Sequence, residues 1–240
     1  MAVEKGPLFL VAGNAIPAMT RGPDPLVRLA IQSAGMYRPS VAYVGAASRD
    51  DSLIRKRHAA MLRKAGAGII TTAPLAGYRI NAPVAAAAVE SADLVFLSGG
   101  DVEAGMNVLK ERGMVPVLRW AHRNGIPFLG ISAGSIMLSQ AWVRWSDPEN
   151  DEGAETFPCL GFARICCDTH GEEDGWGELK AMLSLRPVGT TGYGIVSGSA
   201  IVVEPDGSLS ALGGEVHVFK KRKVGIVQVD NLVPGPRPGA

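Results

Sequence analysis

The chain has few cysteines, almost no net charge and no long apolar run. The three cysteines, Cys159, Cys166 and Cys167, are too few and odd in number for a disulfide framework. Cys166 and Cys167 are neighbours, so on a strand they would point to opposite faces and would be poor joint ligands for a metal. We therefore expect no metal site here, and we interpret these cysteines as small buried hydrophobic side chains.

The charge balance and the hydropathy pattern exclude further classes. The 24 Lys and Arg residues against 23 Asp and Glu residues give a formal net charge of +1, so there is no basic footprint for nucleic acid or for a membrane surface. No run approaches the roughly 18 apolar residues of a membrane span, and the charged N-terminus lacks the pattern of a signal peptide. We expect a cytoplasmic protein without nucleic-acid or membrane partners; whether it forms a homodimer is left open.

The first two-thirds of the chain alternates strand and helix patterns. Strands are predicted at Leu8–Ala12, Val41–Val44, Gly68–Thr72, Asp93–Leu97 and Ile126–Ile131. Helices are predicted from Asp24 to Gly35, from Asp50 or Asp51 to Gly66, and over Pro83–Val89, Glu103–Glu111 and Pro116–Arg123. This rhythm predicts an α/β fold with a doubly wound, mostly parallel sheet flanked by helices. After Gly161 the pattern becomes a β-rich C-terminal edge, so we predict one domain over residues 1–233 and a disordered Pro/Gly-rich tail over 234–240.

The most informative segment is Gly130-Ile131-Ser132-Ala133-Gly134. It follows an apolar strand and precedes an apolar helix, so Ser132 falls on a sharp strand-to-helix turn. Such a turn exposes the serine hydroxyl beside the free N–H groups of a helix N-terminus, which suits a nucleophile that attacks a carbonyl. An ordinary turn with small residues for close packing is the alternative interpretation.

A nucleophilic serine needs a base and an oxyanion hole. Of the four histidines, His170 is placed best, because it closes a strand-like run and opens a Gly-rich acidic loop. His58 is expected on a solvated helix face, His122 at a polar helix end and His217 on a strand face. Gly99-Gly100 also follows a strand, and with the N–H of Ala133 it would offer donors to an oxyanion.

The order of these parts resembles the peptidase E/cyanophycinase family of serine peptidases. The matching elements are Phe96 to Asp101, Asn107 to Gly113, Gly130 to Ser135, Asp168 to His170, Leu212 to Gly214 and Val218 to Lys220. The resemblance implies a flavodoxin-like, class I glutamine amidotransferase-like fold with no cofactor. It also implies these roles: Ser132 as nucleophile, His170 as base, Asp147 as the acid that orients His170, Gly100 and Ala133 as oxyanion hole, and Asp168 at the substrate's amino group. Asp101 is a second candidate for that last contact, because a carboxylate suits an ammonium group.

The chain departs from the family pattern in several places, among them Val102, Gly171, Ser197 and the loop after His170. The acid that some members carry in a Gly-x-x-Glu-Gly stretch aligns with Ser197, and Glu149 is a neighbouring alternative to Asp147 as the orienting acid. The loop after His170, which is Arg-rich in cyanophycinases, reads Glu172-Glu173-Asp174. If these acids face the pocket they would repel an acidic substrate; otherwise they cap the following helix.

We therefore predict a serine peptidase that hydrolyses a dipeptide or small peptide, aspartyl, β-aspartyl or related, through an acyl-enzyme on Ser132. Three alternatives stay open. An α/β-hydrolase-type esterase fits the Gly-x-Ser-x-Gly pattern but lacks an HGGG-type segment, and an amidotransferase would carry cysteine in place of Ser132. The third is a catalytically inactive binding protein on the same scaffold.

Overall fold

The computed structural model describes residues 4–13, 22–77, 80–145 and 153–235. The strands are β1 (Leu8–Val11), β2 (Val41–Val44), β3 (Ile70–Ala73), β4 (Leu94–Leu97), β5 (Phe128–Ile131), β6 (Ala141–Trp145), β7 (Ala154–Pro158), β8 (Cys166–Thr169), β9 (Thr191–Ile195), β10 (Ala200–Val203), β11 (Leu209–Leu212), β12 (Val216–Lys221) and β13 (Ile226–Leu232). The helices are α1 (Pro25–Gln32), α2 (Ser52–Lys64), α3 (Ala82–Glu90), α4 (Val102–Glu111), α5 (Met114–Arg123), α6 (Ala133–Leu138) and α7 (Gly177–Ser184), and a 3₁₀ turn spans Ala46–Ser48.

The central sheet has seven strands in the order β11-β10-β1-β5-β4-β2-β3. The five strands from β1 to β3 in that order run parallel, while β10 and β11 add an antiparallel edge. β1, β2 and β4 are buried along their whole length, as expected of parallel strands that carry helices on both faces. The structure therefore confirms the predicted doubly wound α/β class.

The helix starts follow from capping residues that the sequence displays. The side chain of Asp24 accepts hydrogen bonds from the backbone N–H groups of Leu26 and Val27, with Pro25 at the first helical position. Asp51 caps α2 in the same way. These caps confirm two of the predicted helix starts and place both loops at the same edge of the sheet.

The C-terminal region forms more than the predicted edge. The hairpin β10–β11 does extend the central sheet, but β13-β12-β9-β8 forms a second, four-stranded sheet, and β6 and β7 form a hairpin. The second sheet has its own core against α7, in which Cys166, Trp176, Leu183 and Phe219 are buried. β8 and β9 pair in parallel, and α7 is the crossover between them. These strands therefore belong to a sheet that is separate from the central one.

The structure agrees with the predictions for Cys166 and Cys167 but not with the one for His58. Cys166 and Cys167 are buried in different hydrophobic clusters and all three cysteines are free, as expected. The structure corrects the expectation of a solvated helix face for His58, which is half-buried. His122 lies near the end of α5, as expected, but it is buried there. His58 packs on Phe96, and burial lowers its pKa to about 4. His122 is buried against the ring of Phe162 and bonds the carbonyl of Gly6.

Two further predictions concern membrane-spanning helices and the C-terminal tail. No helix in the four described ranges is long and apolar enough to span a membrane. The predicted disordered tail lies outside the described residues from 236 onward, while Pro234 still forms a bridge to Ala211.

Candidate active site

Ser132 sits between β5 and α6 in a backbone conformation that side chains rarely adopt. Its φ is 53° and its ψ is −122°. A non-glycine residue in such a region costs on the order of 1–3 kcal/mol, and strain of this kind concentrates at functional sites. The N–H of Ser132 donates to the carbonyl of Val11 at 2.9 Å, and its own carbonyl accepts from Ser135 at 2.8 Å. The turn is therefore held on both sides, with the serine itself only half-buried.

The glycines that flank Ser132 are required by packing. A Cβ on Gly130 would lie 2.6 Å from the backbone of Gly134 and Ser135, and a Cβ on Gly134 would lie 2.3 Å from the carbonyl oxygen of Leu97. Both distances are far inside van der Waals contact. The two glycines let α6 approach β5 and β4 closely, which keeps the turn at Ser132 sharp.

The Gly99-Gly100 pair forms the opposite wall of the site. A Cβ on Gly99 would lie 3.9 Å from Oγ of Ser132, so the absence of a side chain leaves room beside the hydroxyl. Gly100 has a φ of 141°, and a Cβ there would lie 2.1 Å from the carbonyl oxygen of Ala47. The next residue, Asp101, donates its N–H to the same carbonyl at 2.9 Å. The loop is therefore packed tightly against Ala47, and Gly99 lies next to Ser132; its use as an oxyanion hole stays a prediction.

His170 lies at the end of β8 and is exposed. Its φ of 64° turns the chain sharply, and its Nδ1 lies 3.0 Å from Oγ of Ser197. Gly198, the residue after Ser197, donates its N–H to the carbonyl of Gly13 at 2.8 Å. Gly13 lies two residues beyond Val11, whose carbonyl accepts the N–H of Ser132. The end of β1 thus connects the segment that binds His170 with the turn of Ser132.

A second contact joins β8 to the helix behind Ser132. α6 packs on β8, and Sγ of Cys167 lies 3.9 Å from the carbonyl of Ser135. Cys167 shares a hydrophobic cluster with Ala133, Ile136 and Met137 of α6, so β8 packs on the helix that follows Ser132. His170 is the residue directly after β8. Ser132 and the Gly99-Gly100 loop thus follow β5 and β4 at the carboxyl end of the central sheet, and His170 follows β8, the strand that packs on α6.

Glu172 belongs to this site through Ser197. Its carboxylate accepts a hydrogen bond from the N–H of Ser197. Partial burial alone would raise the pKa of Glu172, but the hydrogen bonds from Ser197 and the nearby His170 outweigh it and hold the pKa below its usual range. The carboxylate is therefore charged at neutral pH, close to the imidazole.

The rest of the acidic loop serves α7. The carboxylate of Asp174 accepts from the N–H groups of Trp176, at 2.9 Å, and Gly177, so it caps the helix. Glu173 is exposed. Of the three acids only Asp174 caps the helix, so the capping interpretation holds for that residue and not for Glu172, which bonds Ser197.

Asp168 lies two residues before His170 but faces α7. Only 6% of its surface is exposed, and its carboxylate accepts from the N–H of Thr169 at 2.7 Å. Burial raises its pKa to about 7, and the neighbouring carboxylates of Glu178 and Asp174 add to the shift. Glu178 in turn accepts from the indole N–H of Trp142 at 3.0 Å. Asp168 is thus a buried carboxyl group whose protonation changes near neutral pH.

The remaining predicted residues are placed as follows. Asp101 is exposed at the start of α4 and caps it, with 2.6 Å from its carboxylate to the N–H of Ala104. Ala133 is the first residue of α6, so its N–H has no partner within the helix. Asp147 and the alternative Glu149 lie outside the described residues. No group of three or more His, Cys, Asp or Glu side chains in the described ranges is arranged to hold a metal ion.

Sequence reasoning missed the part played by Ser197 and Glu172. Ser197 was recorded only as the position where an acid is absent, and Glu172 only as a loop charge. The usable signal was the hydroxyl itself, because serine can accept one hydrogen bond and donate another at the position where the family carries a carboxylate. The two partners are 25 positions apart in the chain, so no local pattern indicates the contact.

Comparison with known protein families matches the chain to the model of peptidase family S51 over residues 9–210. That span contains Ser132, His170 and the Gly99-Gly100 loop. The chain belongs to peptidase family S51. Membership confirms the predicted peptidase E-like relationship and supports a serine-type peptidase.

Solved structures agree with this assignment at the level of the fold. The structure of a peptidase from an acI-B1 actinobacterium superposes with a TM-score of 0.70 at 16% identity, covering 97% of this chain and 98% of that one. A putative peptidase E protein from Listeria monocytogenes EGD-e superposes with a TM-score of 0.60 at 14% identity, covering 86% of this chain and 98% of that one. A search of curated protein sequences found no match.

Proposed function

We propose that this S51 family member is a serine peptidase that hydrolyses a dipeptide or small peptide, aspartyl, β-aspartyl or related, through an acyl-enzyme on Ser132. The observation that carries the proposal is the backbone of Ser132. A non-glycine residue is held at positive φ between β5 and α6, with the space beside its hydroxyl kept open by Gly99. A fold gains nothing structural from a strained serine there, whereas a nucleophile gains exposure and a fixed direction of attack.

The mechanism uses the neighbours of Ser132 in turn. Ser132 Oγ attacks the peptide carbonyl while Nε2 of His170 takes its proton, and the N–H groups of Gly100 and Ala133 stabilise the negative oxygen that forms. His170 then gives the proton to the leaving amine, and the acyl group stays on Ser132. A water molecule, deprotonated by His170, releases the acid product and restores the serine.

The charges around this centre support a substrate with a free amino group. A free amino group of a short peptide would pair best with a carboxylate, because charge-assisted hydrogen bonds are stronger than neutral ones. Asp101 is exposed beside Gly100 and is the better placed of the two predicted contacts, since Asp168 is buried toward α7. Asp174 caps α7, so the charge argument against acidic side chains now rests on Glu172, which is charged and close to His170. Aspartyl and β-aspartyl substrates stay in the proposal because of the family relationship.

A dipeptide panel tests the proposal. The panel compares Asp-Leu, β-Asp-Leu, Lys-Leu and Ala-Leu with their N-acetylated forms, on the wild type and on Ser132→Ala. We expect cleavage of free-amine dipeptides by the wild type and loss of cleavage in Ser132→Ala. Ser208→Ala, which removes the hydroxyl of an exposed serine in a turn, is the matched control and should equal the wild type.

The competing functions give different results in the same assay. Cleavage of p-nitrophenyl acetate without cleavage of any peptide would favour an esterase. Tight binding of a peptide that is never cleaved would favour an inactive binding protein. Either result contradicts the proposal, as would cleavage that persists in Ser132→Ala.

A further inference from the structure

We propose that Ser197 and Glu172 together position His170: the hydroxyl of Ser197 accepts the Nδ1–H of His170 and donates its own proton to the carboxylate of Glu172. This inference rests on the proposed function, because it assigns the group that orients the base. Ser197 and Glu172 thereby take the role of orienting His170, which the family resemblance assigns to Asp147.

The first step of the argument is the tautomer of His170. A neutral imidazole carries one N–H, and a base that takes the proton of Ser132 at Nε2 must carry it on Nδ1. Nδ1 lies 3.0 Å from Oγ of Ser197, within ordinary hydrogen-bond distance. In that tautomer the Ser197 hydroxyl is the acceptor, which leaves its own hydrogen free to donate elsewhere.

The second step is the acceptor of that hydrogen. The carboxylate of Glu172 already binds the backbone N–H of Ser197, so it lies next to the same residue. Interactions with both the backbone and the side chain of Ser197 contribute to the lowered pKa of Glu172. A carboxylate has about four lone-pair sites, so it can accept from the amide and the hydroxyl together.

The third step is the rigidity of the Ser197 segment. Directly after Ser197, the N–H of Gly198 donates to the carbonyl of Gly13 at 2.8 Å, and the carbonyl of Ser199 accepts from the N–H of Ala12 at 3.1 Å, just beyond β1. The positive φ of His170 bends the loop so that Glu172, two residues later, returns to the same segment. Ser197 is therefore fixed to the strand that also holds Ser132, as a positioning residue must be.

The proton balance of this arrangement is complete. One proton moves from Ser132 Oγ to His170 Nε2 and then to the leaving amine. The Nδ1–H and the Ser197 hydroxyl proton stay where they are. The negative charge of Glu172 stabilises the imidazolium that forms in between, through the polarised hydroxyl.

Nuclear magnetic resonance of the His170 ring tests the pairing without any turnover. Long-range proton–nitrogen spectra report the tautomer and the pKa of His170. We expect the Nδ1–H tautomer in the wild type and a fall in the pKa of His170 of about half a unit or more in Glu172→Gln, because the variant keeps an acceptor but loses the charge. Glu173→Gln removes the same charge from the exposed neighbour and should leave that pKa almost unchanged.

Kinetics give a second readout. Ser197→Ala should lower kcat by about tenfold or more with little change in KM, and the acidic limb of the pH profile should move with the pKa of His170. Ser197→Thr keeps the hydroxyl and should retain most of the wild-type kcat. A merely structural role for Ser197 would move stability but not the pH profile.

The two proposals fail in different ways. If the wild type cleaves peptides and Ser197→Ala matches it in kcat, pH profile and the His170 pKa, while Asp147→Asn removes activity, the pairing is wrong and the peptidase proposal stands. If no peptide is cleaved but His170 shows the expected tautomer and the expected response to Glu172→Gln, the pairing is supported and the peptidase proposal fails.

Discussion

The N–H of Ser132 donates to the carbonyl of Val11 at 2.9 Å, so the turn that carries the serine is bound to a neighbouring strand as well as to β5. This bond explains how a serine keeps a φ of 53°. The hydrogen bonds to Val11 and from Ser135 fix the backbone of Ser132, so it cannot relax to a less strained conformation.

The strain at Ser132 predicts opposite effects on stability and activity. Ser132→Gly should raise the free energy of unfolding by about 1 kcal/mol or more relative to Ser132→Ala, because glycine adopts positive φ without a steric penalty. Both variants lose the hydroxyl, so both should lose peptide cleavage. Urea denaturation of the two variants measures the difference; equal midpoints would show that the turn is not strained.

His170 is predicted to be the base. His170→Ala should lower kcat on the order of 10³-fold or more, as removal of a triad member does. His217→Ala is the control, since His217 lies on β12 and accepts a hydrogen bond from the indole of Trp176 at 2.9 Å. Steady-state rates decide the matter: an active His170→Ala beside an inactive His217→Ala or His122→Ala would refute the assignment.

The close approach of α6 to β4 predicts a specific packing defect. Gly134→Ala should destabilise the fold by about 1–3 kcal/mol and impair activity, because the new methyl would overlap the backbone carbonyl of Leu97. Gly177→Ala, at the start of α7, meets nothing within 4 Å and should be close to neutral. Thermal melts of both variants test this, and equal melting temperatures would contradict the packing account.

The buried carboxyl of Asp168 predicts a pH dependence of stability. Its pKa is raised from 3.8 to about 7 in the folded chain, so the folded state binds the proton more tightly than the unfolded state. The free energy of unfolding therefore falls as pH rises from about 4 to 7, and the loss is complete above pH 7. Asp168→Asn removes this loss. Relative to the wild type, the variant should gain about 2–3 kcal/mol between pH 5 and pH 8, and a difference that does not change with pH would be evidence against the shift.

Local signals in the sequence were enough for most of the parallel sheet. Asp24 and Asp51 indicate helix starts because aspartate is a favoured N-cap residue. The apolar runs of β1, β2 and β4 are typical of buried parallel strands. The turn at Ser132 was readable because its flanking glycines and its strand-to-helix context are adjacent in the chain. Each of these features depends on neighbours within a few residues.

The features that escaped the sequence depend on distant partners. His58 lies among basic residues, and only its packing on Phe96 shows that it is half-buried. The second sheet depends on parallel pairing of β8 with β9 across α7, which no local pattern specifies. Ser197 and Glu172 meet because two loops converge on the end of β1, and residue types alone could not show that contact.

Mapping the adduct of a fluorophosphonate probe is the most direct test of the central claim, that Ser132 is the nucleophile. The wild type should gain the mass of one phosphonate, located by peptide mapping on Ser132, and Ser132→Ala should remain unlabelled. An adduct on another residue, or equal labelling of Ser132→Ala, would contradict it.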